Sequence, residues 1–330
     1  MSDKPKVFVT RVIPAKGLDM VRQLCDAEIW KGELPPPKAV LMEKIKGAEG
    51  LLCLITDTID DEVMDAAGPQ LKVISQMAVG FDNIDVAEAT KRGIPVGHTP
   101  GVLTEATADL AFALLASAAR HLVEAAAYVK AGRWKTWEPM LFLGADLWGA
   151  TLGIIGFGRI GQAMARRARG FNMRVIYYDV NPNEEVAAQL GAKYLPLDDL
   201  LRQADFVTLH VPLTPETHHL IGERELKLMK PSAILINASR GPVVDPQALY
   251  QALADGGIAG AALDVTEPEP IPMDSPLLTL PNCLIVPHIG SASISSRNKM
   301  AEMAAANLIA GLKGERLPNC VNPEVYRDGA

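Results

Sequence analysis

The sequence has few cysteines and no long run of uncharged apolar residues. Its four cysteines, Cys25, Cys53, Cys283 and Cys320, are scattered and form no C-x-x-C pair. This spacing excludes the common zinc motifs and a disulfide framework, so we expect free thiols and no metal site. No apolar run reaches the roughly 18 uncharged residues that a membrane-spanning helix needs.

The chain also lacks a basic block. The net charge is −7 over 330 residues, which argues against nucleic acids and anionic membranes as general partners. The N-terminus leads directly into an apolar, strand-like segment at residues 7–10, so we expect no signal peptide and a cytoplasmic location. Apolar residues make up 48 % and charged residues 22 %, as in ordinary globular proteins, and the length favours two domains.

The most informative stretch is a glycine motif in the middle of the chain. An apolar run at 152–155 ends at Gly156, and Gly158 and Gly161 complete a G-x-G-x-x-G pattern before helix-forming residues. In this pattern the first glycine permits a tight turn, the second lets a pyrophosphate approach the backbone, and the third lets the helix pack closely. The helix N-terminus then offers N–H groups and a positive dipole end to phosphates.

A glycine motif alone is weak, because it is also compatible with a plain tight turn. Here the next predicted strand, 174–178, ends at Asp179. A ribose-binding acid lies about 20 residues beyond the glycines in such a unit. The alternative is that Asp179 only caps the following turn. The combination predicts dinucleotide binding.

Strand-like and helical segments alternate along the chain, which predicts parallel sheets covered by helices. Further strands are predicted at 50–55, 73–75, 206–212, 233–237 and 260–265, and helices at 15–24, 105–131, 247–254 and 291–311. The segment 77–83 follows the third predicted strand, at the end where α/β sheets bind ligands. It is equally compatible with a plain turn that needs Gly80.

Three charged residues follow predicted strands in the second half: Arg240, Glu269 and His288. Taken singly, the arginine and the glutamate fit a solvated loop and the histidine fits a core position. Together, beside a dinucleotide site, they match the reduction of a 2-keto acid. That reaction needs a cation for the carboxylate, a proton donor for the carbonyl oxygen, and a carboxylate that keeps the donor charged.

At this point the sequence resembles the D-isomer-specific 2-hydroxyacid dehydrogenases over essentially its whole length, and within them the glyoxylate/hydroxypyruvate reductases. The segments that carry the resemblance are 79–85, 104–109, 156–161, 237–245, 263–265, 269–270 and 287–291.

The resemblance implies an α/β fold with two domains, Rossmann-like and flavodoxin-like, each with a parallel sheet, and a cleft between them. Residues 1–101 and 287–330 would form the catalytic domain, and 102–286 the NAD-binding domain. Arg240, Glu269 and His288 would be catalytic, with His288 as proton donor.

The resemblance also implies two binding sets. The substrate would contact Val79 and Gly80 through their N–H groups, and Arg240, His288, Ser291 and Trp137. The cofactor would contact Thr107, Gly156, Gly158, Arg159, Ile160, Gly161, Asp179, Val211, Pro212, Thr217, Ala238, Ser239, Arg240, Asp264, His288 and Gly290. Trp137 would reach the active site of a neighbouring subunit in a homodimer.

These expectations define an NADH-dependent reductase that converts glyoxylate to glycolate and hydroxypyruvate to D-glycerate. Asp179, with no cation directly after it, favours NADH over NADPH. Two alternatives stay open: another D-2-hydroxyacid dehydrogenase of the family, and a dinucleotide-sensing binding module like the family's transcriptional corepressors. The sequence has no extended polar tail of the kind such a regulator would carry, which favours the enzyme.

Overall fold

The computed structural model describes residues 4–326. All strand pairings in this range are parallel, which confirms the predicted α/β class. The strands are β1 (Lys6–Val9), β2 (Asp26–Ile29), β3 (Gly50–Cys53), β4 (Val73–Gln76), β5 (Val96–Gly97), β6 (Thr151–Ile155), β7 (Arg174–Tyr178), β8 (Ala192–Tyr194), β9 (Phe206–Leu209), β10 (Ile234–Asn237), β11 (Gly260–Leu263) and β12 (Cys283–Ile285).

The helices connect these strands. They are α1 (Ala15–Leu24), α2 (Lys38–Lys44), α3 (Asp61–Ala67), α4 (Val86–Lys91), α5 (Thr104–Ala119), α6 (Leu122–Lys130), α7 (Arg159–Gly170), α8 (Glu184–Leu190), α9 (Leu197–Gln203), α10 (Glu223–Leu228), α11 (Pro246–Ala254) and α12 (Ile294–Leu312). Short 3₁₀ helices occur at Gly241–Val243, Pro276–Thr279 and Pro323–Tyr326.

The chain divides into two compact units. The first contains the residues up to Leu103 and those from Ala292 onward, and the second spans Thr104–Ser291. This division places residues 287–291 in the second unit, whereas the sequence expectation began the C-terminal part of the catalytic domain at 287. The physical reason is that Asp264, directly after β11, binds the backbone of 288–290.

The first unit has a five-stranded sheet in the order β2-β1-β3-β4-β5, the flavodoxin-like order. Ile74 faces the core shared with α2, α3 and α4. The neighbouring Ser75 donates from Oγ to the Ala304 carbonyl of α12, 2.8 Å away. This alternation explains why both faces of the sheet are covered.

A buried carboxylate lies at the carboxyl end of this sheet. Asp57 is 3 % exposed, and its Oδ2 accepts hydrogen bonds from Thr10 Oγ1 at 2.6 Å and from the Leu54 N–H at 2.8 Å. Its Oδ1 is buried and has no partner within residues 4–326. Burial raises the pKa of Asp57, which two accepted hydrogen bonds only partly offset.

This carboxyl predicts a pH-dependent stability difference. The folded chain holds the Asp57 proton to higher pH than the unfolded chain does, so the stability it contributes is present at acidic pH and is lost as the pH rises through the folded pKa. The uncharged amide of an Asp57→Asn variant would not undergo this loss. We therefore expect the unfolding free energy of Asp57→Asn, measured relative to that of the parent chain, to rise by on the order of 1 kcal/mol from about pH 4 to about pH 7. Urea denaturation at both pH values, with exposed Asp26→Asn as the control, measures this difference; a difference independent of pH would contradict it.

The second unit has a seven-stranded sheet in the order β12-β11-β10-β9-β6-β7-β8. Successive residues face opposite cores. Ile154 packs with α5 and α7 on one side, and Ile155 packs with α9, α10 and α11 on the other. The strand order reverses direction at β6 and β9, and ligands bind α/β sheets at the carboxyl ends of strands beside such a switch point.

The predicted single helix over 105–131 is wrong, because the structure has two helices there. α5 and α6 are bent by 63°, and His121 between them has φ +50°. The Ala119 carbonyl accepts from the Ala145 N–H at 2.9 Å, so a distant loop takes the carbonyl at the end of α5. Within the described residues no single helix is long and apolar enough to cross a membrane, although α5 and α6 together meet the length and composition test as a bent pair.

Candidate active site

The glycine turn joins β6 to α7. Gly156 has φ +91°, and a Cβ there would lie 2.6 Å from the His210 carbonyl oxygen, so only glycine fits. A Cβ on Gly161 would lie 2.1 Å from the carbonyl oxygen of Gly156, so α7 packs directly on the turn. A Cβ on Gly158 would meet nothing within 4 Å, and α7 starts at Arg159 without a side-chain cap. The first turn of α7 therefore offers N–H groups and space to an anionic group.

Asp179 lies directly after β7 and is half-buried. Its Oδ2 accepts from the Phe157 N–H at 2.7 Å, and its Oδ1 accepts from the Asn181 N–H at 2.9 Å. The carboxylate thus joins the glycine turn to β7 and also closes the turn that follows. Each oxygen keeps a second lone pair, so the turn contact leaves room for a ribose hydroxyl.

The loop after β9 passes beside the glycine turn. The Val211 side chain would contact a Cβ placed on Gly156, at 2.9 Å. Thr217 Oγ1 donates to the Pro212 carbonyl at 2.7 Å and accepts from the Thr214 N–H at 2.8 Å. The Thr217 hydroxyl therefore holds this loop closed.

Asn237, the last residue of β10, organises the loop that carries Arg240. Its Oδ1 accepts from the N–H and the Oγ of Ser239, at 3.0 and 2.8 Å, and its Nδ2 donates to the Arg240 carbonyl at 2.9 Å. Arg240 is half-buried and donates from Nη1 to the Ser239 carbonyl. Ala238, which lies between Asn237 and Ser239 in the sequence, is buried. The loop is held rigidly by one amide side chain.

Asp264, buried after β11, anchors the segment 288–290. Its Oδ1 accepts from the Ile289 N–H at 2.6 Å and its Oδ2 from the Gly290 N–H at 2.8 Å. Its main-chain carbonyl accepts from the His288 N–H. Burial raises the pKa of Asp264, and the two N–H donors oppose that rise. Thr107 of α5 is buried next to Gly290.

His288 and Glu269 form a close pair. His288 Nδ1 lies 2.5 Å from Glu269 Oε1, and His288 has φ +52°. A Cβ on Gly241 would lie 1.8 Å from the Thr266 carbonyl oxygen, so the loop of Arg240 and the loop of Glu269 touch through their backbones. With Nδ1 on the carboxylate, Nε2 of His288 is the nitrogen left for proton transfer.

The turn after β4 lies in the first unit. Gln76 Nε2 donates to the Gly80 carbonyl at 3.1 Å and to Asn83 Oδ1 at 2.5 Å, and His98 Nδ1 lies 3.0 Å from the Val79 carbonyl. Both carbonyls are thereby oriented. Neither the Val79 nor the Gly80 N–H donates to an acceptor within residues 4–326, which leaves two adjacent donors for an anion.

The other predicted site residues differ in their surroundings. Ile160 packs against the core of the second unit, and Ser291, half-buried, is the last residue of that unit. Trp137 is 78 % exposed, and every residue from 131 to 140 is exposed to solvent. Trp137 therefore lies outside the loops that carry Arg240, Glu269 and His288.

A model of the D-isomer specific 2-hydroxyacid dehydrogenase family, describing its NAD binding domain, matches residues 112–290 of the chain. The match contains every loop of the second unit described above. The chain belongs to the D-isomer specific 2-hydroxyacid dehydrogenase family.

Similar family members match along nearly their whole length. A glyoxylate reductase of Korarchaeum cryptofilum is 57 % identical over 325 residues, with 98 % of each chain covered. The crystal structure of the TT0316 protein from Thermus thermophilus is 51 % identical, with a TM-score of 0.91 over 96 % of this chain and 99 % of that one. An NADPH-dependent glyoxylate/hydroxypyruvate reductase from Sinorhizobium meliloti, solved with NADP and malonate, is 32 % identical, with a TM-score of 0.86 over 99 % and 100 % of the two chains.

Membership in the family makes this D-isomer specific 2-hydroxyacid dehydrogenase an NAD(P)-dependent oxidoreductase of small 2-hydroxy and 2-keto acids. The residues present fit the cofactor. Gly158 leaves open space at the start of α7, and Gly156 and Gly161 admit no side chain. The Asp179 carboxylate at the end of β7 is half-buried. These features suit a pyrophosphate and a ribose.

Sequence reasoning missed Asn237 as a positioning residue of this dehydrogenase. It ends the apolar run 233–236 with a side chain that can donate and accept, which was the available signal. It also missed His210, which follows β9. The Nδ1 of His210 is buried without a partner among the described residues, and its Nε2 lies 2.9 Å from Thr208 Oγ1. Burial lowers the pKa of His210 to about 3, so this imidazole is neutral beside the glycine turn.

Proposed function

We propose that this chain is a glyoxylate reductase that uses NADH to reduce glyoxylate to glycolate and hydroxypyruvate to D-glycerate. The observation that carries the proposal is the His288–Glu269 pair, with Nδ1 and Oε1 2.5 Å apart. The two residues lie in loops that follow β11 and β12. The glycine turn that fits a dinucleotide follows β6 of the same sheet. A fixed acid–base pair at that edge supplies the proton that reduction of a carbonyl requires.

Two groups are proposed to hold the substrate carboxylate. The Arg240 guanidinium provides the charge, and its main chain is fixed by Asn237. The Val79 and Gly80 N–H groups provide two further donors, in a turn fixed by Gln76. Each of these groups, taken by itself, suits the carboxylate of a small 2-keto acid.

When bound, the nicotinamide supplies the hydride. His288, as imidazolium, donates its Nε2 proton to the carbonyl oxygen, and the Glu269 carboxylate at Nδ1 holds the ring in place. Arg240 stabilises the developing alkoxide. Asp264 keeps the backbone of 288–290 in place through two N–H donors.

The similar proteins support glyoxylate as the substrate. Eight relatives that are 50–57 % identical over 98 % of this chain bear the name glyoxylate reductase. Hydroxypyruvate carries a hydroxymethyl group where glyoxylate carries a hydrogen. A pocket discriminates only weakly against a group that small, with about 1–3 kcal/mol for one methylene, so both acids are proposed as substrates.

A steady-state panel tests the proposal. Glyoxylate, hydroxypyruvate, pyruvate and a bulkier 2-keto acid are compared with NADH, and product is identified by chromatography. The highest kcat/KM for glyoxylate supports the proposal. A higher value for a bulkier acid assigns another dehydrogenase of the family. Tight NADH binding without turnover of any acid would identify a dinucleotide-sensing binding module instead.

We also propose that the enzyme is a homodimer. One segment of the second unit carries an unusual concentration of exposed apolar side chains. They are Leu122, Val123, Val129, Trp134, Trp137, Met140, Leu143 and Trp148, all at least 50 % exposed. α6 has no buried residue. Exposed apolar patches of this kind mark association surfaces, and a second copy of the chain is the proposed occupant.

Trp137 provides a test of this assembly. If it lies next to the substrate of the partner subunit, Trp137→Ala should lower kcat/KM for glyoxylate about tenfold, or about 1.4 kcal/mol, while the dimer persists in sedimentation velocity. Met273→Ala, at an 88 % exposed position outside the segment, is the control and should change neither. A fully active monomer at assay concentration would rule the proposal out.

A further inference from the structure

Two histidines and a glutamate form a second polar cluster in the second unit. His219 Nε2 lies 2.7 Å from Glu267 Oε2, and His218 Nε2 lies 3.8 Å from Glu267 Oε1. The two imidazole rings are stacked, with centroids 4.0 Å apart and planes at 29°. One ligand atom from each residue lies within 4.8 Å of the other two.

The backbone holds this cluster from both sides. The His219 N–H donates to the Pro242 carbonyl at 2.7 Å, and His219 has φ +51°. Thr266 Oγ1 donates to the Pro268 carbonyl at 2.9 Å, which fixes the residues on either side of Glu267. Glu267 and His219 are half-buried, while His218 is exposed and has freedom to adjust.

The arrangement of these three side chains suits the binding of a transition-metal ion better than it suits an ion pair among themselves. One hydrogen bond links His219 to Glu267, but His218 stacks on the same ring and lies beyond hydrogen-bond distance of the carboxylate. Two protonated imidazoles at this separation would repel each other. Neutral imidazoles and a carboxylate are ligands for Zn²⁺, Co²⁺ and Ni²⁺.

We propose that His218, His219 and Glu267 bind a divalent transition-metal ion, with zinc as the best match. Zinc–nitrogen and zinc–oxygen bonds are about 2.0–2.2 Å long, so the ligand atoms of a tetrahedral site lie roughly 3.3 Å apart. The 2.7 Å contact between His219 Nε2 and Glu267 Oε2 must therefore open to admit the ion, and the exposed His218 ring must move inward from 3.8 Å. Three protein ligands leave one tetrahedral position for water. Asp245 Oδ2 lies 3.9 Å from His219 Nδ1, so a small movement of the ring would bring the other nitrogen of the ligand histidine to a carboxylate, as metal-bound histidines commonly have.

The ion would join the loop after β9 to the loop after β11. Glu267 lies two residues before Glu269, and Pro242, which receives the His219 N–H, lies two residues after Arg240. Binding of the ion does not depend on the proposed reaction. It departs from the sequence expectation of no metal site, because Glu267 lies 48 residues beyond His219 and only the fold brings the two together.

The experiment uses the full chain without a polyhistidine tag, stripped with a chelator. Zn²⁺ is titrated by calorimetry, and Co²⁺ is followed by visible absorption, which is intense for a tetrahedral site. We expect one ion per chain and a rise in melting temperature with Zn²⁺. His218→Ala and Glu267→Gln should each weaken binding about tenfold or more and remove the cobalt absorption, with unchanged melting temperatures in the absence of metal.

His121→Asn is the matched control, because it removes a histidine outside the cluster at a φ of +50° that asparagine tolerates. It should bind both ions as the parent chain does. Absence of Zn²⁺ binding by the parent chain, or binding retained in a His218→Ala, Glu267→Gln double variant, would overturn the proposal.

Discussion

Replacing His288 with asparagine should lower kcat for glyoxylate at least about 100-fold and leave NADH binding nearly unchanged. Asparagine can still donate a hydrogen bond, but it cannot transfer a proton at neutral pH. The substitution suits the local backbone, because asparagine tolerates the φ of +52° found at His288. The measurements are steady-state turnover and a fluorescence titration with NADH. Near-normal turnover would remove His288 from the proton-donor role.

Glu269→Gln tests the other half of the pair. The amide keeps the size of the side chain and the contact with His288 Nδ1, but it loses the negative charge next to the ring. We expect the pH profile of kcat/KM to move more than the affinity for NADH. Asp274→Asn, which removes an exposed acid a few residues along the chain, is the control. Equal profiles for the two variants would show that the Glu269 charge plays no part.

The parts of the fold that the sequence predicted are those with a strong local signal. β6 and β10 are mostly apolar and are buried along their whole length, and the turn at Gly156 needs a positive φ that glycine alone supplies freely. β2 lacked such a signal, because Asp26 and Glu28 alternate with partly buried residues at the edge of a sheet. The break between α5 and α6 had none either, since it depends on the Ala145 N–H reaching Ala119 from a later loop.

The candidate site also has features that the sequence predicts and features that it does not. Arg240, Glu269 and His288 follow strands, so the sheet topology brings their loops to one edge, and this much follows from the sequence. The hydrogen-bond partners of Asp264 do not follow from the sequence. The resemblance implies that Asp264 contacts the cofactor, and the structure adds that both of its carboxylate oxygens accept N–H groups from 289 and 290. Such contacts depend on how a later segment crosses the strand end, which no local pattern encodes.

The unmodified enzyme should prefer NADH over NADPH at least about tenfold in kcat/KM, or roughly 1.4 kcal/mol. The Asp179 carboxylate ends β7 and is held there by the Phe157 and Asn181 N–H groups. It can accept from ribose hydroxyls, whereas a 2′-phosphate would bring a second anion against it. Residues 180–186 contain no cation, and Glu184 and Glu185 open α8. Equal use of both cofactors would show that this reasoning is wrong.

Asp179→Ser combined with Val180→Arg should shrink or reverse the preference. Serine removes the repelling charge, and arginine at a 78 % exposed position adds a partner for the phosphate without disturbing the core. Because the carboxylate also accepts the Phe157 N–H, Asp179→Asn is a second test: its amide oxygen can keep that hydrogen bond while the charge is lost. We expect Asp179→Asn to reduce the discrimination against NADPH with little loss in NADH turnover. A preference for NADH that survives in both variants would place the discrimination elsewhere in the cofactor site.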